Sequence, residues 1–220
     1  MVDPREQVRT YTGARPDLWP YIPDGAGRVL DVGCATGEVG AALKARGKAR
    51  EVVGLELSPD AAIEARRHLD RVIVGDIEGG DGESALSDGG FDVILYADVL
   101  EHLKNPWAVV ERQRRLLRPG GRVIASLPNI GHYSTILMLL RHQWRYEELG
   151  IMDYTHLRFF DRAGLRDLFR QAGYAETRIY RRGGEGPKQR LARALTLGYS
   201  TDFFVPGFVF VARNPGRVAS

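Results

Sequence analysis

The chain of 220 residues has a single cysteine, Cys34, which excludes an internal disulfide and any thiolate cluster around a metal. No apolar run reaches the roughly 20 residues needed to cross a bilayer. The opening Met1-Val2-Asp3-Pro4-Arg5 lacks secretory character, so the expected compartment is the cytoplasm. An excess of charge of either sign is missing too: 31 Lys and Arg stand against 28 Asp and Glu, a net +3. The arginines are scattered over helical stretches and form no block, which argues against nucleic acid as the partner. Histidines and carboxylates nowhere show ligand spacing along the chain, so no metal is expected. What is present is ordinary globular composition, 44% hydrophobic and 27% charged, enough for one buried core.

The stretch that organises the rest runs from Val29 to Gly40. Val29, Leu30 and Val32 suit a buried parallel strand, and Gly33 and Gly37 allow a sharp turn without side-chain bulk. A helix starts directly after, with Glu38 in its first turn. Such a strand–turn–helix corner lets a nucleotide-like ligand approach backbone N–H groups. Ala35-x-Gly37-x-x-Gly40 fits a loosened dinucleotide fingerprint, which keeps a nicotinamide cofactor in view. Asp31, however, ends the strand with a carboxylate that would repel a pyrophosphate and orient an ammonium. That choice favours S-adenosylmethionine.

Strands then recur with helices between them. Residues 51–56 read as a second strand, and Ser58-Pro59 as a helix start with Ser58 capping. The helix 61–69 is expected to turn Ala62 and Ile63 inward. Residues 71–77 are a third strand, 91–96 a fourth and 122–127 a fifth, the last preceded by the stop signal Arg118-Pro119-Gly120-Gly121. This alternation is the pattern of a doubly wound parallel sheet. Glu56 and Asp76 fall at the carboxyl ends of the second and third strands, the edge where open α/β sheets bind ligands. Glu56 can accept from both ribose hydroxyls, and Asp76 from an adenine amino group with Ile77 against the ring. Cys34 is read as filling a small space behind the turn.

These residues together resemble class I S-adenosylmethionine-dependent methyltransferases. The resemblance is carried by Asp31-Val32-Gly33-Cys34-Ala35-Thr36-Gly37, Glu56, Gly75-Asp76-Ile77, Phe91-Asp92-Val93-Ile94, Asp98-Val99-Leu100-Glu101-His102-Leu103 and Leu117-Arg118-Pro119-Gly120-Gly121. It implies an α/β, Rossmann-like, doubly wound seven-stranded sheet with the last strand antiparallel and helices on both faces. It also implies S-adenosyl-L-methionine as cofactor, S-adenosyl-L-homocysteine as product, and Thr36, Leu57, Ala97, Asp98, Val99 and His102 on the cofactor side. Ala35 departs from the family, which usually has glycine there. Residues 1–27 read as an N-terminal cover in which Tyr11 or Arg15 reaches over the cofactor, Arg15 pairing with its carboxylate. Residues 28–220 then form one domain with a substrate-side insertion at about 128–160.

Within that insertion, Asn129-Ile130-Gly131-His132 and Thr155-His156-Leu157-Arg158-Phe159-Phe160 resemble the branch containing MetW-type proteins and methyltransferases of glycan and natural-product pathways. The implied reaction is in-line transfer of a methyl group to a hydroxyl, or an amine, of a small-molecule or sugar acceptor. Most of its rate comes from alignment in a dry pocket. A neutral hydroxyl needs a base, and His132 and His156 are the candidates, each with a structural role as the alternative. Asp98 or Asp153 would orient such a histidine or hold an acceptor hydroxyl. Tyr133, Trp144 and Tyr154 are candidate substrate contacts, by stacking or merely by packing. Arg158 either meets an acidic substrate group or pairs with Asp153. A MetW-like cofactor-binding partner without transfer of its own is the competing reading. Oligomeric state stays open, a homodimer included.

Overall fold

The computed structural model describes residues 13–86, 90–183, 186, 194 and 201–216. Its elements run β1 (Ala26–Val32), α1 (Glu38–Ala45), β2 (Ala49–Glu56), α2 (Pro59–Ala65), β3 (Arg71–Val74), the single turn α3 (Asp81–Ser84) and β4 (Phe91–Ala97). They continue with α4 (Pro106–Gln113), β5 (Leu117–Pro128), α5 (Tyr133–Leu140), α6 (Arg162–Gln171), β6 (Ala175–Arg182) and β7 (Gly207–Arg213). The seven strands form one sheet in the order β3-β2-β1-β4-β5-β7-β6, and β7 lies antiparallel to both its neighbours. The expected Rossmann-like architecture is therefore present. Tyr11 lies outside the described residues.

Side chains alternate along each strand, so neighbouring residues serve opposite faces. Leu30, Ile94, Tyr96, Val123 and Phe210 join one apolar layer, while Val29, Val93, Leu95, Ile124 and Val209 join the other. On the first face, α6 contributes Leu165, Leu168 and Phe169, and the Phe169 ring stacks on Phe210 at 4.1 Å. Asp161 starts that helix by accepting the Gly164 N–H at 2.7 Å, the cap its position predicts. On the other face, Leu18 and Ile22 anchor the segment before β1, and the Arg46 guanidinium covers Trp19 at 3.7 Å.

Two local expectations need correction. Ile63 is 56% exposed, and α2 presents Ala61, Ala62 and Ala65 inward instead. The close approach explains the preference for alanine: a Cβ at Gly37 would stand only 3.1 Å from the Ala65 Cα. The second correction concerns β5, which begins at Leu117 and carries Arg118 to Gly121 within it as an irregularity opposite Phe91 and Val93. Asn214, far away in sequence, holds that detour in place. Its Nδ2 donates to the Leu117 carbonyl at 3.0 Å, and its backbone exchanges bonds of 2.8 Å with Gly120 and Gly121.

Candidate active site

The carboxyl ends of β1 and β4 bound a concavity open to solvent. Asp31, Gly33, Cys34, Ala35 and Thr36 line it, together with Arg15 and Ala97. The turn is tight because Val99 packs onto it: a Cβ on Gly33 would come 2.8 Å from Val99 Cγ2. Gly33 (φ 67°) and Gly37 (φ 85°) adopt left-handed conformations that only glycine takes freely, whereas Ala35 takes φ 46° at a cost. Cys34 is buried behind the turn, facing Gly54, where an added Cβ would lie 2.5 Å from the thiol sulfur. Burial pushes that thiol's pKa up, so it is no nucleophile at neutral pH.

Asp31 is 1% exposed, and its Oδ2 has no hydrogen-bond partner among the described residues. Burial first, and the nearby Glu56 carboxylate second, push its pKa up to about 7. The Thr36 hydroxyl is likewise buried and unpartnered. Glu56, at the tip of β2, braces the turn by accepting the Ala35 N–H and the Ser58 N–H, each at 2.8 Å. Asp76 is exposed past the end of β3, where it accepts the Glu78 N–H, and Ile77 beside it is buried. Leu57 is 68% exposed at the rim.

The structure assigns different partners to several side chains singled out in the sequence. Asp98 is held by two arginines and a serine rather than by a histidine. Its carboxylate receives Arg15 Nη1 at 2.8 Å, Arg182 Nη1 at 2.7 Å and the Ser126 hydroxyl at 2.9 Å. Arg15 is also clasped by Asp17, at 3.0 and 2.9 Å, so its guanidinium arrives already neutralised. Arg182 and Ser126 were not legible as site residues, since nothing in their local sequence marks them. His132 caps α5 with Nδ1 2.8 Å from Ser134 Oγ, and burial lowers its pKa. His156 is 4% exposed with Nδ1 3.0 Å from the Ile151 carbonyl, and its ring meets His102 edge-on at 4.8 Å. Arg158 donates to the Lys104 and Leu157 carbonyls rather than to Asp153. Asp153 accepts from Thr155 N and Oγ1 at 2.8 and 2.6 Å. Tyr146 and Tyr154 stack on the insertion's outer surface at 6.2 Å, Trp144 meets Phe159 at 5.4 Å, and Tyr133 packs near Phe204 at 5.7 Å.

With that geometry established, the family described as methyltransferase domain matches residues 5–178. The chain belongs to the class I S-adenosylmethionine-dependent methyltransferase family. It is 31% identical over 149 residues to a protein of Thiobacillus denitrificans named ubiquinone biosynthesis O-methyltransferase, covering 66% of this chain and 63% of that one. A protein of the same name from Cereibacter sphaeroides is 30% identical over 161 residues, 71% of this chain and 64% of its own. The methyltransferase chain thus spans less than two thirds of the length of these curated relatives. Among solved structures, a SAM-dependent methyltransferase from Archaeoglobus fulgidus superposes with TM-score 0.65 at 16% identity, covering 95% of this chain and 94% of that one. The phosphoethanolamine N-methyltransferase 2 of Haemonchus contortus, in complex with S-adenosyl-L-methionine, gives 0.57 at 16% identity, covering 96% of this chain and 53% of that one. These two share the fold. Among the described residues, no helix of this methyltransferase is long and apolar enough to cross a membrane.

The family's cofactor fits what the concavity presents. A buried carboxylate with an unpartnered oxygen suits a ligand carrying positive charge, and the turn itself bends at two glycines.

Proposed function

We propose that this methyltransferase methylates a hydroxyl group of a small-molecule acceptor, and that Asp31 anchors the methyl donor. The observation that carries the reading is the buried, unpartnered Oδ2 of Asp31 in the wall of the concavity. S-adenosylmethionine, when bound, supplies the methyl group from a sulfonium. Asp31 would take its ammonium, Glu56 its ribose hydroxyls through the lone pairs that Ala35 and Ser58 leave, and Asp76 with Ile77 its adenine. Gly33, Cys34, Ala35, Thr36, Gly37, Ala97 and Val99 would shape the cradle, and Arg15 with Asp98 would close its far side as a fixed ion pair.

His132 is the base this reading selects. It is half-buried and held neutral at pH 7 by the burial that lowers its pKa, so it can receive a hydroxyl proton. His156 is buried against His102 and serves better to position residues 151–160. A hydroxyl acceptor is supported by the names of the curated relatives, both O-methyltransferases. A sugar or natural-product acceptor is supported by the resemblance of residues 129–132 and 155–160 alone. Tyr133, Trp144 and Tyr154 are the side chains this reading offers to an acceptor ring.

The experiment is transfer of labelled methyl groups into a panel of phenols, sugars and amines, with S-adenosylhomocysteine affinity measured in parallel. Label should enter hydroxyl-bearing acceptors. His132→Ala should lower kcat about 100-fold or more while leaving S-adenosylhomocysteine affinity unchanged. Tight binding with no transfer to any acceptor would favour the MetW-like partner role instead.

A further inference from the structure

We infer that Glu101, His102 and His156 form a site for one divalent transition-metal ion, zinc by ligand chemistry, which staples the segment after the insertion to the loop after β4. The three residues come from two places 54 or more positions apart in the chain, yet each offers a ligand atom within 4.8 Å of the others. Glu101 is 1% exposed, and neither of its carboxylate oxygens has a hydrogen-bond partner among the described residues. A buried carboxylate left in that condition is costly unless a cation or a proton compensates it.

The imidazoles are prepared on their outer sides. His156 Nδ1 lies 3.0 Å from the Ile151 carbonyl, the partner that fixes Nδ1 as the protonated nitrogen and leaves the Nε2 lone pair for a ligand bond. His102 Nδ1 lies 3.3 Å from the Thr155 carbonyl and 3.0 Å from the Thr155 hydroxyl, which Asp153 orients in turn at 2.6 Å. Carbonyl and carboxylate partners behind metal-binding imidazoles set the tautomer and raise ligand basicity. One carboxylate and two imidazoles suit zinc, with a fourth position left for water. Bonds of about 2.0–2.1 Å place tetrahedral donors roughly 3.4 Å apart, so closing from 4.8 Å requires movements of about an ångström.

The backbone already joins the two pieces. The Glu101 carbonyl accepts the Leu157 and Arg158 N–H groups at 2.8 and 2.9 Å. A metal there would lock residues 151–158, and with them the acceptor side, onto a loop that continues directly from Asp98 and Val99. The site is structural in this reading and does not depend on which acceptor is methylated.

The test starts from chelator-treated full-length protein titrated with zinc chloride and, separately, with cobalt chloride. We expect one equivalent bound, a rise in melting temperature, and X-ray absorption of the zinc-loaded protein showing two imidazoles. Glu101→Gln and His156→Gln should each weaken uptake at least 100-fold, while His68→Ala, on an exposed helix end, should not alter it. Substoichiometric uptake, or absorption showing one imidazole or none, would overturn the proposal, and this readout holds even where a variant fails to fold. Uptake undiminished in the two Gln variants would overturn it as well. Affinity for S-adenosylhomocysteine is measured separately, so failure here and failure of the methyl-transfer reading are distinguishable.

Discussion

Asp31 puts folding and ligand binding in opposition, and the opposition is measurable. Its pKa is raised from 3.8 to about 7 in the folded protein, and one pKa unit corresponds to about 1.4 kcal/mol. The folded state therefore prefers the protonated form. Relative to acid pH, stability is intact below the unfolded pKa and falls as pH rises, by about 4 kcal/mol once pH passes 7. Asp31→Asn keeps the shape and removes the charge. Urea unfolding should show the variant gaining on the wild type, with the gap widening by about 2–3 kcal/mol between pH 5 and pH 7.5. Affinity for S-adenosylhomocysteine should behave inversely, because its ammonium needs the ionised carboxylate. Below pH 6.5 the wild type should lose about tenfold per pH unit, with roughly one proton released on binding. The ligand's amine is that of a free amino acid, whose adjacent carboxylate holds it protonated well above the peptide α-amino range of about 7.7–8.0, so affinity should rise to a plateau above about pH 7. Asp31→Asn should bind weakly without the acid limb. Calorimetry in buffers of different ionisation enthalpy reads both effects. A wild-type affinity flat from pH 5 to 7.4, or an Asn variant that keeps the same slope, refutes the reasoning.

Two further outcomes follow from the turn. Ala35→Gly releases a left-handed alanine at φ 46°; the relief of about 1–2 kcal/mol, less about 0.5–1 kcal/mol of glycine entropy, should raise the melting temperature by a few degrees or less. A fall in melting temperature would contradict it. Gly54→Ala forces a methyl to 2.5 Å from Cys34 Sγ and 2.7 Å from Leu69 Cδ1, which should cost about 1–3 kcal/mol. Adding Cys34→Ala should recover part of that loss in a double-mutant cycle, and strict additivity of the two changes would refute the contact.

The parts of the molecule that were legible in the sequence are those set by short-range pattern. Apolar runs ending in Asp31 and Glu56, the paired glycines of the turn and the Ser58-Pro59 start each describe their own surroundings, and the sheet followed from their order. The departures come from long-range partners. Ile63 has the right spacing for an inward face, but the tight passage beside Gly37 admits only alanines. Arg118 to Gly121 ends a helix locally, while Asn214 draws the same residues into β5. Asp98 reads in the sequence as a carboxylate free to orient a histidine or hold an acceptor hydroxyl. Arg182 claims it from 84 positions away. The Glu101, His102 and His156 grouping was illegible for the same reason, since no ligand spacing exists until the chain has folded.

The double bond arrangement at the Glu101 carbonyl has an evolutionary corollary. Because main-chain atoms of Leu157 and Arg158 make that junction, it is indifferent to which side chains decorate the surface beyond it. Trp144, Tyr146 and Tyr154, all well exposed, can drift while the junction to the sheet keeps its shape.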